Sequence, residues 1–349
     1  MEFPYKITNT SFLLPDCHEK AYEVWYWKLN PQDEAWSFWF RYTLLKNEAK
    51  SVIEVWGIFT RRETQKKEEG ENVQNIAIKE TFPIEQCKYG ASENANSISI
   101  GENFVDFITC KGNLCKRDNQ LSWGLNLTPI FPQSSFNFIP RSLWRLGIVK
   151  NYTVTVHEKM LFNGNIKVNE DIISVQNALG MQGHLAGLKQ GHSWAWAHSC
   201  IFSDEETGES VPIIIDVLSA CARIGKKMVS PQLTTLFLYY DGKEYILNSI
   251  KSILSTKSRY IPLFWEIKGK TCDFIFSISI EADMPTVVGV QYEDTDGSML
   301  YCYNTKMATI KLILHDLTNN NEKHFVSLQK GAFEWVQRKP WDKVSLYIQ

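Results

Sequence analysis

Residues 191–202 alternate between two kinds of side chain, and this period of two constrains the fold more than any other segment. Aromatic, imidazole or sulfur-bearing side chains occupy the even positions, which are His192, Trp194, Trp196, His198, Cys200 and Phe202. Mostly small groups occupy the odd positions, which are Gly191, Ser193, Ala195, Ala197, Ser199 and Ile201. Successive side chains of a β-strand point to opposite faces. The segment therefore predicts a strand whose bulky face lines a ligand pocket and whose small face lets another backbone approach.

Strand patterns and hairpin turns recur along the remaining sequence, and helical periodicity is scarce. Asn163-Gly164 and Asp241-Gly242 each separate two strand patterns, and such pairs tolerate the positive φ angles of a type I′ hairpin turn. Short helices are expected only near residues 140–147 and 220–228. The sequence therefore predicts an all-β protein built from antiparallel strands.

The chain has 349 residues, which is enough for two β bodies of ordinary size. Glycine recurs in the segment 180–187 near the middle of the chain, and glycine-rich segments are common between domains. An aromatic strand pattern at 36–42 echoes the pattern at 192–198, as expected of two related barrels. We therefore expect an N-terminal barrel over residues 1–180 and a C-terminal barrel over residues 181–349.

Charge and composition restrict the partners of the chain. The formal charge of −2 and the isoelectric point near 6.4 give no electrostatic footprint for nucleic acid. The N-terminal residues lack a signal-peptide pattern, and no run approaches the roughly 20 apolar residues of a membrane-spanning helix. The 8 cysteines form no Cys-x-x-Cys pair, which is typical of reduced cytoplasmic thiols. We expect a cytoplasmic protein without a nucleic-acid partner or an integral membrane segment, and the oligomeric state stays open.

The histidines of the central region raise the question of a metal site. His192 and His198 would lie roughly 20 Å apart on a straight strand, which is too far for both to ligate one ion. His184 could join either of them, but no His-x-His spacing supports a zinc site. The sequence therefore predicts no metal ion, and it indicates no other cofactor.

Asp216 interrupts the apolar run 211–218. If this run forms a hairpin with 192–202, Asp216 lies across from about Trp196 to His198, although a slip of one residue would reverse its face. A buried carboxyl group costs free energy unless it is paired or protonated. A protonated carboxyl group is a general acid, and an Asp–His pair can move protons. The alternative is a carboxylate that only hydrogen-bonds to the backbone or to an arginine.

Aromatic residues suggest where an apolar ligand binds. Trp194 and Trp196 have histidines on the same face, and such a wall suits a polyunsaturated ligand because π faces stabilise a passing carbocation. For most other aromatic residues, packing in the core is the competing interpretation. Further candidate substrate-binding residues are Trp123, Phe40, Tyr42 and His184.

Two strands resemble those of the double-calycin superfamily, which includes carotenoid 1,2-hydratase, tocopherol cyclase, AttH-like proteins and lipocalin-like Diels–Alderases. They are residues 37–44, which read SFWFRYTL, and residues 191–198, which read GHSWAWAH. The resemblance implies an all-β fold of two lipocalin-like antiparallel β-barrels in tandem. In the hydratase branch a His-x-Trp is followed about two dozen residues later by Tyr-x-Asp. His192-Ser193-Trp194 and Ile214-Ile215-Asp216 match these positions, except that Ile214 replaces the tyrosine.

The resemblance implies a cofactor-free cyclase or hydratase that acts on an apolar terpenoid, polyene or polyketide in a barrel pocket. One mechanism is alkene protonation by Asp216, with His192 or His198 as its partner. The other is a pericyclic cyclisation, in which the pocket mainly orients the substrate. A non-catalytic lipid or pigment carrier is the alternative function. A third interpretation is a structural or interaction module whose pocket is filled by its own tryptophans.

Overall fold

The computed structural model describes residues 20–63, 72–92, 95–106, 108–130, 135–145, 149, 151–224 and 228–349. Most of these residues lie in antiparallel β-strands, so the all-β prediction is confirmed. Contacts between Cα atoms divide the chain into two compact units. The first unit comprises Met1–Gln190, Glu293–Met299 and Tyr347–Gln349, and the second comprises Gly191–Tyr292 and Leu300–Leu346.

The first unit contains one curled antiparallel sheet. Its strands are β1 (Ala21–Asn30), β2 (Trp36–Lys46), β3 (Ser51–Arg62), β4 (Val73–Pro83), β5 (Lys88–Ser92), β6 (Ala95–Ile100), β7 (Asn103–Val105), β8 (Thr109–Lys116), β9 (Asn119–Pro129), β10 (Phe136–Asn137), β11 (Asn151–Val168) and β12 (Asp171–Gly187). A 3-10 helix occupies Ile84–Gln86, and helix α1 occupies Arg141–Arg145. The strand order is β4-β3-β2-β1-β12-β11-β9-β8-β7-β6-β5, with β10 paired to β11.

The first sheet closes on itself because β4 also lies against β8 and β9. The backbone N–H of Cys115 on β8 donates to Glu80 Oε1 on β4 at 2.7 Å. The core inside this barrel is strongly aromatic, since Trp27 stacks on Phe40 with ring centroids 5.0 Å apart. Phe40 in turn lies 5.4 Å from Trp123 across the barrel. This unit is therefore an antiparallel barrel, and aromatic side chains such as Trp27, Phe40 and Trp123 form part of its core.

The second half of the chain supplies the second sheet. Its elements are β13 (Ser193–Ser199), β14 (Phe202–Asp204), β15 (Ser210–Val211), β16 (Ile214–Cys221), β17 (Arg223–Ile224), β18 (Met228–Val229), β19 (Leu233–Tyr240), β20 (Lys243–Leu247), α2 (Ile250–Ser255), β21 (Lys257–Ile261), β22 (Phe264–Lys270), β23 (Phe274–Glu281), a 3-10 helix (Met284–Thr286), β24 (Val288–Glu293), β25 (Met299–Asp316), β26 (Glu322–Gln337) and β27 (Leu346–Ile348). The main strand order is β20-β19-β16-β13-β26-β25-β23-β22-β21.

The interior of the second barrel is filled by rings from β22, β25 and β26. Trp265 stacks on Phe333 with centroids 6.0 Å apart, and Tyr303 stacks on Trp335 at 5.7 Å. The small side chains of β13, such as Ala195, belong to this core. Small side chains suit this position because the large rings of the other strands occupy the space next to it. The bulky face of β13 therefore lies on the opposite side of the sheet from this core, and the prediction that it lines a ligand pocket stays a prediction.

The strand that carries the bulky face is also shorter than the alternating pattern of the sequence. The strand ends at Ser199, and a new strand begins at Phe202. Because the alternation breaks between them, Phe202 lies in the core of the second barrel. The prediction of one regular strand over 192–202 is therefore only partly correct.

The two predicted hairpin turns have different outcomes. Asp241 and Gly242 have φ angles of 51° and 75° and join β19 to β20, as predicted. Asn163-Gly164 lies instead inside β11, at a shift of register between neighbouring strands. Gly164 has a φ of 142°, and a Cβ there would approach the Gly124 carbonyl oxygen to 2.1 Å. The Asn-Gly pair therefore forms a β-bulge rather than a turn.

The glycine-rich segment 180–187, which was the predicted domain junction, lies within β12. A Cβ at Gly180 would meet the Lys28 carbonyl oxygen at 1.9 Å, and one at Gly183 would meet the Tyr26 ring at 2.1 Å. These glycines permit close packing against β1, and the division between the units falls after Gln190.

The helix predicted near 140–147 is present at Arg141–Arg145, while residues 146–147 lie outside the described residues. The helix predicted near 220–228 is wrong for the residues that are described. Residues 220–221 end β16, 223–224 form β17 and 228 begins β18; residues 225–227 lie outside the described part.

Candidate functional site

The hairpin that carries Asp216 has a register within the range predicted from the sequence. Asp216 on β16 is the direct cross-strand partner of His198 on β13. Both side chains are fully buried, with 0% exposure. Cross-strand partners point to the same face of the sheet, so the carboxyl and imidazole groups share the bulky face of β13. The expected proximity of Asp216 to Trp196 and His198 is confirmed.

Trp196 fixes the orientation of the Asp216 carboxyl group. Its indole Nε1 donates a hydrogen bond to Asp216 Oδ1 at 2.9 Å. The rings of Trp196 and His198 lie nearly parallel, with centroids 6.4 Å apart and an interplanar angle of 20°. A buried carboxyl oxygen that accepts an N–H bond avoids much of its desolvation cost. The carboxyl group, the indole and the imidazole therefore form one buried arrangement.

Lys306, which was not among the residues predicted from the sequence, adds a cation to this arrangement. The Lys306 Nζ lies 5.6 Å from the centroid of the Trp196 ring and donates to Asn304 Oδ1 at 3.1 Å. Lys306 is only 3% exposed, and a buried lysine is uncommon unless it is paired. The available signal was a lysine at an even position of β25, where other even positions such as Ala308 and Ile310 are apolar. We call Trp196, His198, Asp216, Asn304 and Lys306 the Asp216 cluster.

His192 and Trp194 lie toward the other end of the strand. The His192 N–H donates to the Cys221 carbonyl oxygen at 2.8 Å, five positions beyond Asp216 on the partner strand. Burial and the nearby Arg338 and Arg223 lower the pKa of His192. The structure therefore makes His198 the imidazole neighbour of Asp216, and it separates His192 from that carboxyl group.

Trp194 makes its own contacts outside the Asp216 cluster. Its Nε1 donates to Glu334 Oε1 at 3.0 Å, and its ring lies 6.4 Å from that of Tyr292. Trp194 is partly exposed, whereas Trp196 is buried. The two predicted wall tryptophans therefore occupy different environments on the same face.

The remaining predicted binding residues lie inside the first barrel. Phe40 and Trp123 are packed together, and a Cβ on Gly112 would meet the Trp123 ring at 2.0 Å. The Tyr42 hydroxyl donates to the Lys111 carbonyl oxygen at 3.3 Å. Burial raises the pKa of Tyr42 well above its ordinary value, with the nearby thiols of the barrel adding to the effect. These three aromatic residues pack in the core of the barrel.

His184 lies in the same barrel and has a carboxylate partner that sequence analysis missed. Its Nε2 lies 2.8 Å from Glu23 Oε1, and both side chains are 0% exposed. The imidazole stacks on Trp25, with centroids 4.8 Å apart and an interplanar angle of 27°. The signal was a glutamate at an inward position of β1, in phase with two tryptophans. Predicted site residues therefore form two groups, one in each unit.

Other features of the described residues add no further site. Among them, no group of three or more His, Cys, Asp or Glu side chains is placed to hold a metal ion. Nor does any helix that the structure describes combine the length and apolar composition needed to cross a bilayer. A cleft of about 450 Å³ in the first unit is lined by Glu34, Ile172, Ile173, Ser174 and Gln176. It contains none of the predicted site residues.

Comparison with known proteins gives structural relatives only. No protein-family model matches the sequence, and no curated protein matches it. The solved structure of CghA with Sch210972 superposes with a TM-score of 0.53 at 8% identity, covering 91% of this chain and 88% of CghA. An AttH-like protein from Nitrosomonas europaea has a TM-score of 0.53 at 10% identity, covering 97% of this chain and 100% of that protein.

The chain shares the fold of these proteins. The double-calycin resemblance of residues 37–44 and 191–198 is thereby confirmed as a resemblance of fold. At 8% and 10% identity the likeness shows the fold alone, because one fold can host unrelated reactions.

Proposed function

We propose that the chain binds an apolar terpenoid, polyene or polyketide and acts on it as a cyclase or hydratase, with Asp216 as the proton donor. The observation that supports this most is the buried carboxyl group, held by Trp196 Nε1 at 2.9 Å opposite His198. A carboxyl group anchored through one oxygen keeps a fixed orientation, as directed proton transfer requires. The shared fold adds support, since CghA was crystallised with Sch210972.

In the proposed reaction, the π electrons of a substrate C=C bond take the proton of the Asp216 carboxyl group. A C–H bond forms, the O–H bond breaks, and the adjacent carbon becomes a carbocation. In cyclisation a second C=C bond attacks this carbon, and loss of a proton to the Asp216 carboxylate restores the acid. In hydration a water molecule attacks instead and returns one proton to Asp216. The indole face of Trp196 stabilises the intermediate cation.

A pericyclic cyclisation is the second candidate, and the position of Lys306 favours it. A buried ammonium group 5.6 Å from the Trp196 ring centroid already places positive charge beside the indole. This positive charge disfavours a carbocation nearby. The ammonium group can, however, donate a hydrogen bond to a substrate carbonyl group. In this variant Lys306 polarises the substrate and the surrounding side chains orient it.

Native mass spectrometry of the protein from its own cells identifies the co-purified small molecule and so provides the substrate series. Conversion of these substrates to product is then measured in D₂O with the wild type, Asp216→Asn and Lys306→Met. The acid route predicts one deuterium in the product and loss of conversion in Asp216→Asn. The pericyclic route predicts no deuterium and loss in Lys306→Met.

Asp294→Asn is the matched control, because Asp294 is also 0% exposed and belongs to the first unit. It accepts a hydrogen bond from the backbone N–H of Gln190 at 3.0 Å, so it reports the general effect of changing a buried carboxylate. Retention of the ligand without conversion in the wild type itself would instead identify a carrier.

A further inference from the structure

A buried carboxylate–imidazole pair in the first barrel takes no part in the proposed reaction. Glu23 and His184 lie on the adjacent strands β1 and β12, where Trp25 is the direct cross-strand partner of His184. The Glu23 Oε1–His184 Nε2 distance is 2.8 Å. The pair faces the barrel interior together with Trp25 and Trp27, because positions 23, 25 and 27 share one face of the strand.

The Glu23 carboxylate determines which nitrogen of His184 is presented to the interior. It accepts the Nε2–H, so in the neutral ring Nδ1 has a lone pair and acts as an acceptor. Among the described residues, no hydrogen-bond donor reaches this buried Nδ1. A buried polar atom in this situation is unfavourable unless a bound molecule satisfies it.

A second buried polar atom lies further along the same face of β1. The Trp27 indole Nε1 is buried, and no acceptor among the described residues lies within hydrogen-bonding distance. Trp27 is two residues beyond Trp25, the cross-strand partner of His184, so the backbone positions that carry the two polar groups are about 7 Å apart along the strand. His184 Nδ1 is an acceptor and Trp27 Nε1 is a donor.

Tyr89 is a further residue of the first barrel that interacts with the pair. Tyr89 is partly buried and packs against two apolar clusters of the first barrel. One is the core that contains Trp27 and Phe40, and the other consists of Ala21, Leu44, Tyr152 and Ala186. Glu23 is among the groups that raise the pKa of Tyr89, after burial and the neighbouring Cys87. A partly exposed residue therefore lies within electrostatic range of Glu23.

We propose that the first barrel holds a second binding site, for a flat aromatic molecule with a hydroxyl group at one end and a carbonyl oxygen at the other. The ligand hydroxyl donates to His184 Nδ1, and Trp27 Nε1 donates to the ligand carbonyl. Glu23 is a positioning residue, which holds the imidazole in the accepting tautomer. The Trp25 ring, stacked on His184 at 4.8 Å, provides the aromatic surface for the ligand.

The test uses 4-hydroxyacetophenone as probe and the intact chain labelled with ¹⁵N. Saturable shifts of both the His184 imidazole nitrogens and the Trp27 indole N–H are expected. The His184→Gln variant should bind about tenfold more weakly, as should the wild type with 4-methoxyacetophenone, which lacks the hydroxyl donor. Trp27→Phe keeps the ring, removes the N–H and should weaken binding similarly. It serves as the decisive variant if His184→Gln does not fold.

Two results would overturn the proposal. One is the absence of a saturable shift at both residues up to the solubility of the probe. The other is equal affinity in the wild type and in Trp27→Phe, which would make the Glu23–His184 pair purely structural. Asp216→Asn should bind the probe as the wild type does, so failure here is distinguishable from failure of the proposed reaction.

Discussion

The Trp196 indole Nε1 donates to Asp216 Oδ1 at 2.9 Å across the neighbouring strands β13 and β16. Asp216 is fully buried, so this N–H offsets part of the cost of removing the carboxyl group from water. The alternation of residues 191–202 thus places an indole where a buried acidic group needs a donor. The bond is central to both the stability and the proposed chemistry of the second barrel.

Trp196→Phe should lower the free energy of unfolding by about 1–3 kcal/mol, because it leaves a buried carboxyl oxygen without its indole donor. Urea unfolding followed by circular dichroism measures the change. Trp194→Phe is the matched control, since Trp194 and its acceptor Glu334 are both partly exposed and water can replace the lost bond. Equal losses in the two variants would contradict the role given to the Trp196–Asp216 bond.

Asp216 and Lys306 should be energetically coupled through the shared Trp196 side chain. Trp196 donates to the carboxyl group, and the ammonium group lies 5.6 Å from the centroid of the same ring. In a double-mutant cycle of Asp216→Asn and Lys306→Met, we expect a coupling of about 1 kcal/mol or more in the free energy of unfolding. Additive single-mutant effects would show that Lys306 does not sense the charge of Asp216.

Acidification should destabilise the chain through His157, a residue of β11. Burial lowers the pKa of His157 from its ordinary value of 6.5. The unfolded chain therefore binds a proton at a higher pH than the folded chain does. Between the folded-state pKa and 6.5 the unfolded state binds more protons, so the free energy of unfolding falls as the pH falls.

His157→Gln removes this contribution. We expect the stability of the wild type relative to His157→Gln to decrease between pH 7.5 and pH 5, as measured by urea unfolding at both values. A difference that stays constant across this range would show that His157 has the same proton affinity in both states.

The β class and the Asp216–His198 register could be predicted because both depend on local periodicity. The alternation at 191–202 and the apolar run at 211–218 specify two strands with a short connection. Which face of β13 points into the barrel could not be predicted in the same way, because both faces of the strand are largely buried. The inward face is decided by rings such as Trp335, which come from a distant part of the chain.

The additional members of the two sites were missed for a related reason. Lys306 and Glu23 are buried charged residues, and each has a partner on another strand, namely Trp196 and His184. Sequence patterns indicate that such a residue is unusual, but only the sheet register shows which side chain it meets. The Asn163-Gly164 pair illustrates the same limit, because a bulge and a hairpin turn require similar local residues.

Gly183→Ala should test whether the glycines of segment 180–187 are required for packing. A Cβ at Gly183 would approach the Tyr26 ring to 2.1 Å, and Tyr26 is itself buried on β1. Because the ring must move within a packed interior, we expect a loss of about 1–3 kcal/mol in the free energy of unfolding. Gly124→Ala is the control, since a Cβ there meets nothing within 4 Å and should leave stability unchanged or slightly raised. If Gly183→Ala were as stable as Gly124→Ala, close packing of β1 on β12 would not be the reason for the glycine.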